Sequence, residues 1–209
     1  MTQISAHERL LTLPAVFKGA DLTVRFQWTS RTASHYLFLW KNRGLVAPLG
    51  GHSDVYANLV LERRPNWEAA ARLAMPTAVV IGVEVLRRAG WTTQIPNMPT
   101  IAVNSARPTY QLQRFDVVKL PPKWFNRMGP GVRTEGIDSL PSLAAAWALA
   151  DLVSRHGWGG FGIEPDDIYW DEITEQDLAD WDEAIAAMGL PAAGMNPDES
   201  SDGMSVAGR

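Results

Sequence analysis

The feature that most limits the fold of this chain is the order of helix and strand signals in its first 61 residues. Short helices are predicted at residues 5–13 and 19–26, where apolar side chains recur at helical spacing. A longer helix is predicted from about Ser30 to Arg43, with Thr29 or Ser30 as its N-cap. Gly44 is well placed to end that helix. This part of the chain is therefore predicted to contain three helices in close succession.

A hairpin is predicted directly after the third helix. The runs LVAPL (45–49) and VYANLVL (55–61) are apolar and strand-like, and the GGHSD between them supplies residues that tolerate unusual backbone dihedrals. A polar, proline-containing stretch, ERRPN (62–66), follows. Three helices and a hairpin in about 60 residues predict a winged helix-turn-helix domain over residues 1–64. The glycines alone do not distinguish a catalytic loop from the tip of a wing. Their position after a capped helix favours the tip of a wing.

The predicted helix 30–43 has two different faces. Ala33, Leu37 and Trp40 form an apolar stripe that is expected to face the core. In a helix-turn-helix the second helix of the motif enters the major groove, and its N-terminal residues meet base edges. The outward positions there are predicted to contact DNA, and they are Ser30, Arg31, Ser34 and His35. Base reading is assigned to Arg31, Ser34 and His35. The predicted phosphate contacts are Lys41, Arg43 and His52.

The remainder is predicted to form a mixed α/β domain over residues 65–190. Two helices are expected around a break near Pro76, followed by proline-separated strand-like segments up to about residue 120. An amphipathic helix is predicted at 139–157, and Thr174 is expected to cap another that ends at Gly189. Residues 191–209 lack apolar periodicity and are predicted to be disordered. The predicted fold class is therefore α/β of the α+β type.

Charge is distributed unevenly along the chain, whose formal net charge is −4. Residues 1–64 and 65–136 carry net charges of +4 and +5, whereas residues 137–209 carry −13. A basic N-terminal part and an acidic C-terminal part suit a nucleic-acid-binding protein with a second, separate function. An ordinary polar surface with the same composition is the alternative.

The signals for a phosphate-binding loop, a metal site or a nuclease motif are weaker. The glycine-rich stretch 156–162 follows a predicted helix and leads into acids, so an irregular loop is favoured over a phosphate loop. The acids at 166–172 lack a metal-binding pattern, and the four histidines lack metal-ligand spacing. Asp116 and Lys119 have one residue too many between them for a nuclease motif. We therefore predict no catalytic residues, no metal and no cofactor.

The sequence resembles the AbiEi-type antitoxins. The resemblance is carried by FKGADL, TASHYLFLWKNRGLV and PLGGHSDVYANLV in the first part of the chain. It continues in PTAVVIGVEVLRRAGWTTQIP (76–96) and in GIDSLPSLAAAWALADLV (136–153). It covers roughly residues 10–155.

The resemblance implies a dual role. Such antitoxins repress their own operon through the winged helix and counter a nucleotidyltransferase-like toxin, for which the C-terminal domain is required. The expected partners are thus operator DNA and the cognate toxin. The alternative is a winged-helix transcription factor with a small-molecule sensor domain and no toxin.

The expected compartment is the cytoplasm of a bacterium. No run approaches the roughly 20 apolar residues of a membrane span, and the N-terminus lacks the apolar core of a signal peptide. The chain contains no cysteine, which is compatible with a reducing compartment. Among the nine tryptophans, those on predicted helices are expected in the core, and Trp91 is a candidate for a partner surface.

Overall fold

A computed structural model describes residues 5–104, 112–192 and 194–197 of the chain. Helices are combined with two sheets, one antiparallel and one containing both parallel and antiparallel pairs. The α+β class is therefore confirmed. None of the helices in the described ranges is long and apolar enough to cross a membrane.

The chain forms two compact units that alternate in sequence. The first consists of Met1–Ala78, Ser105–Val117 and Glu135–Leu140. The second consists of Val79–Asn104, Val118–Thr134 and Pro141–Arg209. This division differs from the predicted boundary at residue 64, because the helix after that boundary packs on strands of the first unit.

The first unit contains four helices and three strands within residues 6–74. In chain order they are α1 (Ala6–Leu11), β1 (Val16–Lys18), α2 (Gly19–Arg25), α3 (Ser30–Asn42), β2 (Val46–Pro48), β3 (Val55–Asn58) and α4 (Trp67–Ala74). The strands form an antiparallel sheet in the order β1-β3-β2. The three predicted helices and the hairpin are all present.

Strand β1 has no counterpart among the sequence-based predictions. It has only three residues, and Phe17 lies opposite Tyr56 of β3. The two rings stack with their centroids 5.9 Å apart. A segment this short gives no periodic signal of its own, and the strand exists because β3 offers it a partner far along the chain.

The core of the first unit lies behind α3. Ala33, Leu37 and Trp40 are buried, as their spacing predicts. Their buried neighbours come from the other elements of the unit and are Leu10, Leu13, Phe17, Leu22 and Val46. The opposite face of α3 is consequently held toward solvent.

A buried asparagine ties the last strand to the first helix. Asn58 is fully buried, and its Nδ2 donates to the carbonyl oxygen of Leu10 at 2.8 Å. Its Oδ1 accepts from the backbone N–H of Val60 at 3.2 Å, and its own N–H donates to Ala15 at 2.8 Å. These bonds satisfy polar groups that water does not reach, so they hold α1 and β3 in one arrangement.

The second unit is built on a five-stranded sheet in the order β6-β5-β4-β8-β7. Its strands are β4 (Val79–Ile81), β5 (Thr100–Val103), β6 (Asp116–Lys119), β7 (Val132–Arg133) and β8 (Ser142–Leu143). The unit boundary after Val117 falls within β6. Its helices are α5 (Val83–Arg88), α6 (Pro122–Met128), α7 (Ala145–His156) and α8 (Glu175–Met188). Three 3₁₀ turns complete it, at Gly129–Gly131, Pro165–Asp167 and Trp170–Glu172.

Two helices begin later than predicted. The segment after Pro76 was expected to be helical, but Val79–Ile81 forms strand β4, which pairs with both β5 and β8. The helix predicted from residue 139 begins only at Ala145, because Ser142 and Leu143 pair with β7. Both predictions were wrong at these residues. A buried apolar run does not reveal whether its backbone bonds to itself or to neighbouring strands.

The predictions for the C-terminal part concern α8 and the residues that follow it. Thr174 caps α8, which ends at Gly189 in the left-handed conformation, as predicted. The disorder predicted for residues 191–209 falls mostly on positions outside the described residues, although the Met195 side chain is buried. The strand-like signal at 105–111 also lies outside them.

The core of the second unit contains α7, whose first eight residues are all buried. Trp147 packs directly on the backbone of Gly131, where a Cβ atom would lie 2.3 Å from the indole. One turn along, Asp151 is buried and accepts from Trp124 Nε1 at 2.8 Å and from Arg155 Nε at 2.9 Å. This network ties α6 to α7.

A second ion-pair network lies on α5. The buried Glu84 accepts hydrogen bonds of 2.8 Å from both Arg87 and Arg88. The bond to Arg87, assisted by Arg88, holds the pKa of the Glu84 carboxyl below its usual value despite burial. The short helix therefore carries a charged carboxylate at neutral pH that its own arginines satisfy.

Candidate nucleic-acid interface

The predicted DNA-contacting residues at the start of α3 lie together on its exposed side. Ser30, Arg31, Ser34 and His35 are all exposed in the first turns of the helix. Thr29 caps the helix, and its side chain accepts from the backbone N–H of Thr32 at 3.2 Å. The cap fixes where the helix starts, and therefore which side chains occupy its exposed N-terminal face.

The cations of this region are available to a ligand. Lys41 lies in the last turn of α3 and Arg43 is its C-cap, and both are exposed. Neither they nor Arg31 form an ion pair with any residue that the structure describes. Gly44 follows with a φ of +65°, as expected of the glycine that ends a helix.

The loop between β2 and β3 is a tight turn. Gly50, Gly51 and His52 have φ values of +95°, +62° and +61°. Ser53 Oγ donates to the carbonyl oxygen of Gly50 at 2.7 Å, and the Ser53 N–H reaches the same oxygen at 3.1 Å. The glycines thus allow the positive φ values that this turn requires, and His52 is exposed at its tip.

Asp54 links this loop to the start of α2, a contact that sequence reasoning missed. Its Oδ2 accepts from the backbone N–H of Ala20 at 2.8 Å, and its carbonyl oxygen accepts from Gly19 at 2.9 Å. A Cβ atom on Gly19 would lie 2.2 Å from Asp54 Oδ1, so a larger residue there would displace this carboxylate. Asp54 and Ala20 are 34 positions apart in sequence, which explains why no local pattern revealed the contact.

A shallow groove of about 210 Å³ lies beside the start of α3. Its polar lining comes from Thr23, Ser30, Ser34 and Asp54. The structure thus brings two of the predicted residues, Ser30 and Ser34, to the same groove as the loop carboxylate. Arg31 and His35 are also on the N-terminal half of α3, whereas Lys41 and Arg43 lie at its other end.

The second unit has an open cleft of about 480 Å³. One side is formed by Thr92, Thr93, Gln94 and Ile95, and the other by Asp166, Asp167 and Tyr169. The two sides are joined by the Tyr169 N–H, which donates to the carbonyl oxygen of Trp91 at 2.8 Å. Trp91, the candidate for a partner surface, is only 2% exposed and packs in the core. Ile95, four residues later, is 82% exposed.

One acid of this cleft has an ordinary structural role. Asp167 accepts from the backbone N–H of Glu164 at 2.9 Å and so caps a 3₁₀ turn. Across the described ranges, no three His, Asp or Glu side chains are grouped closely enough to hold a metal ion. The loop at 156–162 follows α7, and three of its glycines have positive φ. Its geometry is that of a helix C-cap and irregular loop.

Comparison with known proteins gives a fold similarity. No protein-family model matches this sequence, and no curated protein matches it. Among solved structures, the chain is similar to the crystal structure of RV2827C protein from Mycobacterium tuberculosis, with a TM-score of 0.51. The two share 14% sequence identity, and the match covers 90% of this chain and 73% of that one. At this identity the similarity concerns the fold alone.

Proposed function

We propose that this protein is a DNA-binding antitoxin of the AbiEi type, without enzymatic activity, that represses its own operon and neutralises a nucleotidyltransferase-like toxin. The observation that carries the DNA-binding part is the exposed polar face at the start of α3. Ser30, Arg31, Ser34 and His35 offer hydroxyl, guanidinium and imidazole groups on one surface. These are groups that hydrogen-bond to base edges in a major groove.

The arrangement of the first unit supports a winged helix as the DNA-binding element. The order is helix, strand, two helices joined by a short turn, and a hairpin, and the first strand pairs with the last. In this interpretation α3 enters the major groove and the loop with His52 is the wing that meets the DNA backbone. The bonds from Asp54 to α2 hold the wing beside the two helices.

The distribution of charged residues between the two units supports the assignment of DNA binding to the first unit. The first unit contains 11 Lys and Arg against 8 Asp and Glu, whereas the second contains 8 against 15. DNA affinity would come largely from cations that neutralise phosphates and release counterions, with Lys41 and Arg43 as contributors. The affinity should therefore fall steeply with salt.

Replacing Arg31 by alanine is expected to weaken binding to the protein's own upstream DNA by about 1–3 kcal/mol, or roughly 5- to 150-fold. The reason is the loss of two hydrogen bonds from the guanidinium fork to a guanine edge. Gel-shift titrations at several salt concentrations measure the change. Arg31→Lys is the matched control, because it keeps the charge but not the fork and should lose most of the same affinity.

Lys41→Ala should behave differently from Arg31→Ala. It removes a phosphate contact, so binding should weaken evenly across DNA sequences and the salt slope should fall by about one. If Arg31→Ala left the operator footprint and the affinity unchanged, the assignment of base reading to α3 would be incorrect.

The toxin-binding part of the proposal rests on the resemblance and on the second unit. The cleft there combines an exposed isoleucine, Ile95, and Tyr169 with the carboxylates of Asp166 and Asp167. An apolar centre with an acidic rim suits a basic protein surface. The cognate toxin would therefore meet this cleft through cationic side chains.

Co-expression with the adjacent nucleotidyltransferase-like gene tests this part. The full-length chain should rescue growth and co-purify with the toxin, and Ile95→Asp should abolish both. Ile137→Asp is the matched control, because that isoleucine is also exposed but belongs to the first unit. Failure of the unaltered chain to rescue growth and to co-purify would reject the antitoxin assignment and favour a transcription factor without a toxin partner.

A further inference from the structure

Phe38 is an exposed aromatic side chain on α3, and neither the core nor the predicted interface accounts for it. It is 60% exposed, while its neighbours Leu37 and Trp40 are buried. Within the described residues its ring makes no aromatic or cation–π contact, although Trp28, Tyr36 and Trp40 form a ring cluster nearby in sequence. The exposed ring offers apolar area that a bound molecule can cover.

The position of Phe38 places it on the face that was assigned to DNA. It comes seven residues after Arg31 and three after His35, and both spacings return to the same side of a helix. Lys41, three residues further, is exposed and without an ion-pair partner in the described structure. The ring therefore lies on a helix face that carries cations at both ends.

The charge around the ring favours DNA over a second copy of this chain. A two-fold interface through this face would bring Arg31 and Lys41 of one copy toward the same cations of the other, and like charges repel. A major groove offers phosphates to the cations. It also offers the ring an apolar partner, the C5-methyl group of thymine.

We propose that Phe38 contacts a thymine methyl group in the operator and is a specificity-determining residue. This inference rests on the proposed DNA binding and adds a base preference to it. Hydroxyl and guanidinium groups on the first turns of α3 would read hydrogen-bonding edges, whereas Phe38 would read a methyl group further along the same groove.

Uracil substitution tests this contact, since uracil differs from thymine only by lacking the methyl group. The operator is first mapped on the upstream DNA, and each thymine in it is replaced in turn by uracil. The unaltered full-length protein should lose about three- to fivefold in affinity at one or two positions, as expected for one methyl group removed from an apolar contact. Phe38→Ala should bind thymine DNA with about that loss or more, and uracil at those positions should have no further effect.

Controls separate this contact from a structural effect. Phe38→Leu keeps an apolar side chain and should retain sensitivity to uracil. Val24→Ala on α2 changes another highly exposed apolar residue, 81% exposed, and should retain both affinity and sensitivity. Thermal unfolding should be unchanged in all three variants, because the substituted side chains are exposed.

Two results would overturn the inference while leaving DNA binding intact. One is unaltered protein that binds the operator but is indifferent to uracil at every position. The other is Phe38→Ala protein that remains fully sensitive to uracil, or that changes only the oligomeric state in gel filtration. Failure of the unaltered protein to bind its upstream DNA would instead reject the proposed function itself.

Discussion

Replacing Trp40 by alanine is expected to lower the free energy of unfolding by about 3–5 kcal/mol. Trp40 is 1% exposed at the centre of the first unit, where its ring lies 5.8 Å from Tyr36 and 6.1 Å from Trp28. Its removal would leave a cavity behind α3 as well as losing the transfer free energy of the indole. Denaturant unfolding, followed by circular dichroism, measures this effect.

The functional consequence of the Trp40 change is distinct from that of Arg31→Ala. Trp40 holds α3 from the buried side, so its loss should abolish DNA binding together with the folded signal of the first unit. Arg31→Ala should reduce DNA binding while unfolding stays unchanged. Equal stability of Trp40→Ala and the unaltered protein would contradict the packing described for α3.

Trp40→Phe is the informative control. The indole Nε1 of Trp40 has no hydrogen-bond partner within the described structure. Replacement by phenylalanine therefore breaks no hydrogen bond there and removes less volume than alanine does. A loss well below that of Trp40→Ala is expected, and a loss of the same size would contradict the volume-based account of Trp40.

Replacing Asp151 by alanine is the second change with a large expected effect, about 2–4 kcal/mol of the free energy of unfolding. The carboxylate is 3% exposed and accepts from both the Trp124 indole and the Arg155 guanidinium. Its removal leaves a buried indole N–H without an acceptor and a guanidinium without its partner. Because Arg155 is partly exposed, water compensates some of its loss, and the expected destabilisation is smaller than for a fully buried pair.

Asp151→Asn separates the two bonds. The amide oxygen still accepts from Trp124, whereas the ion pair with Arg155 is lost, so a smaller destabilisation is expected. A double-mutant cycle with Trp124→Phe isolates the indole bond, and its coupling energy should be clearly above zero. Strictly additive effects of the two substitutions would mean that this bond does not stabilise the second unit.

Prediction from sequence worked where the signal was local. The cap at Thr29, the buried stripe Ala33, Leu37 and Trp40, and the end of α8 at Gly189 all depend on residues within a few positions of each other. The outward direction of the predicted DNA-contacting residues follows from the same periodicity. These features come from hydrogen bonds and side-chain spacing within one helix.

Prediction failed where a distant partner decides the structure. β1 exists because β3 pairs with it, β4 because β5 and β8 lie on either side, and Trp91 is buried although its local sequence resembles a loop. A β-branched run such as Val79–Ile81 favours a strand, but a strand also needs neighbours to accept its hydrogen bonds. Those neighbours come from distant parts of the chain, so the local sequence does not reveal them.

The candidate site also has features that the local sequence predicts and features that depend on distant partners. Residue order and helical period were enough to place Ser30, Arg31, Ser34 and His35 on one exposed face. The bond from Asp54 to Ala20 became visible only in the folded chain. The reason is that a helix face is set by bonds four residues apart, whereas the groove beside it is assembled from segments that meet only through long-range packing.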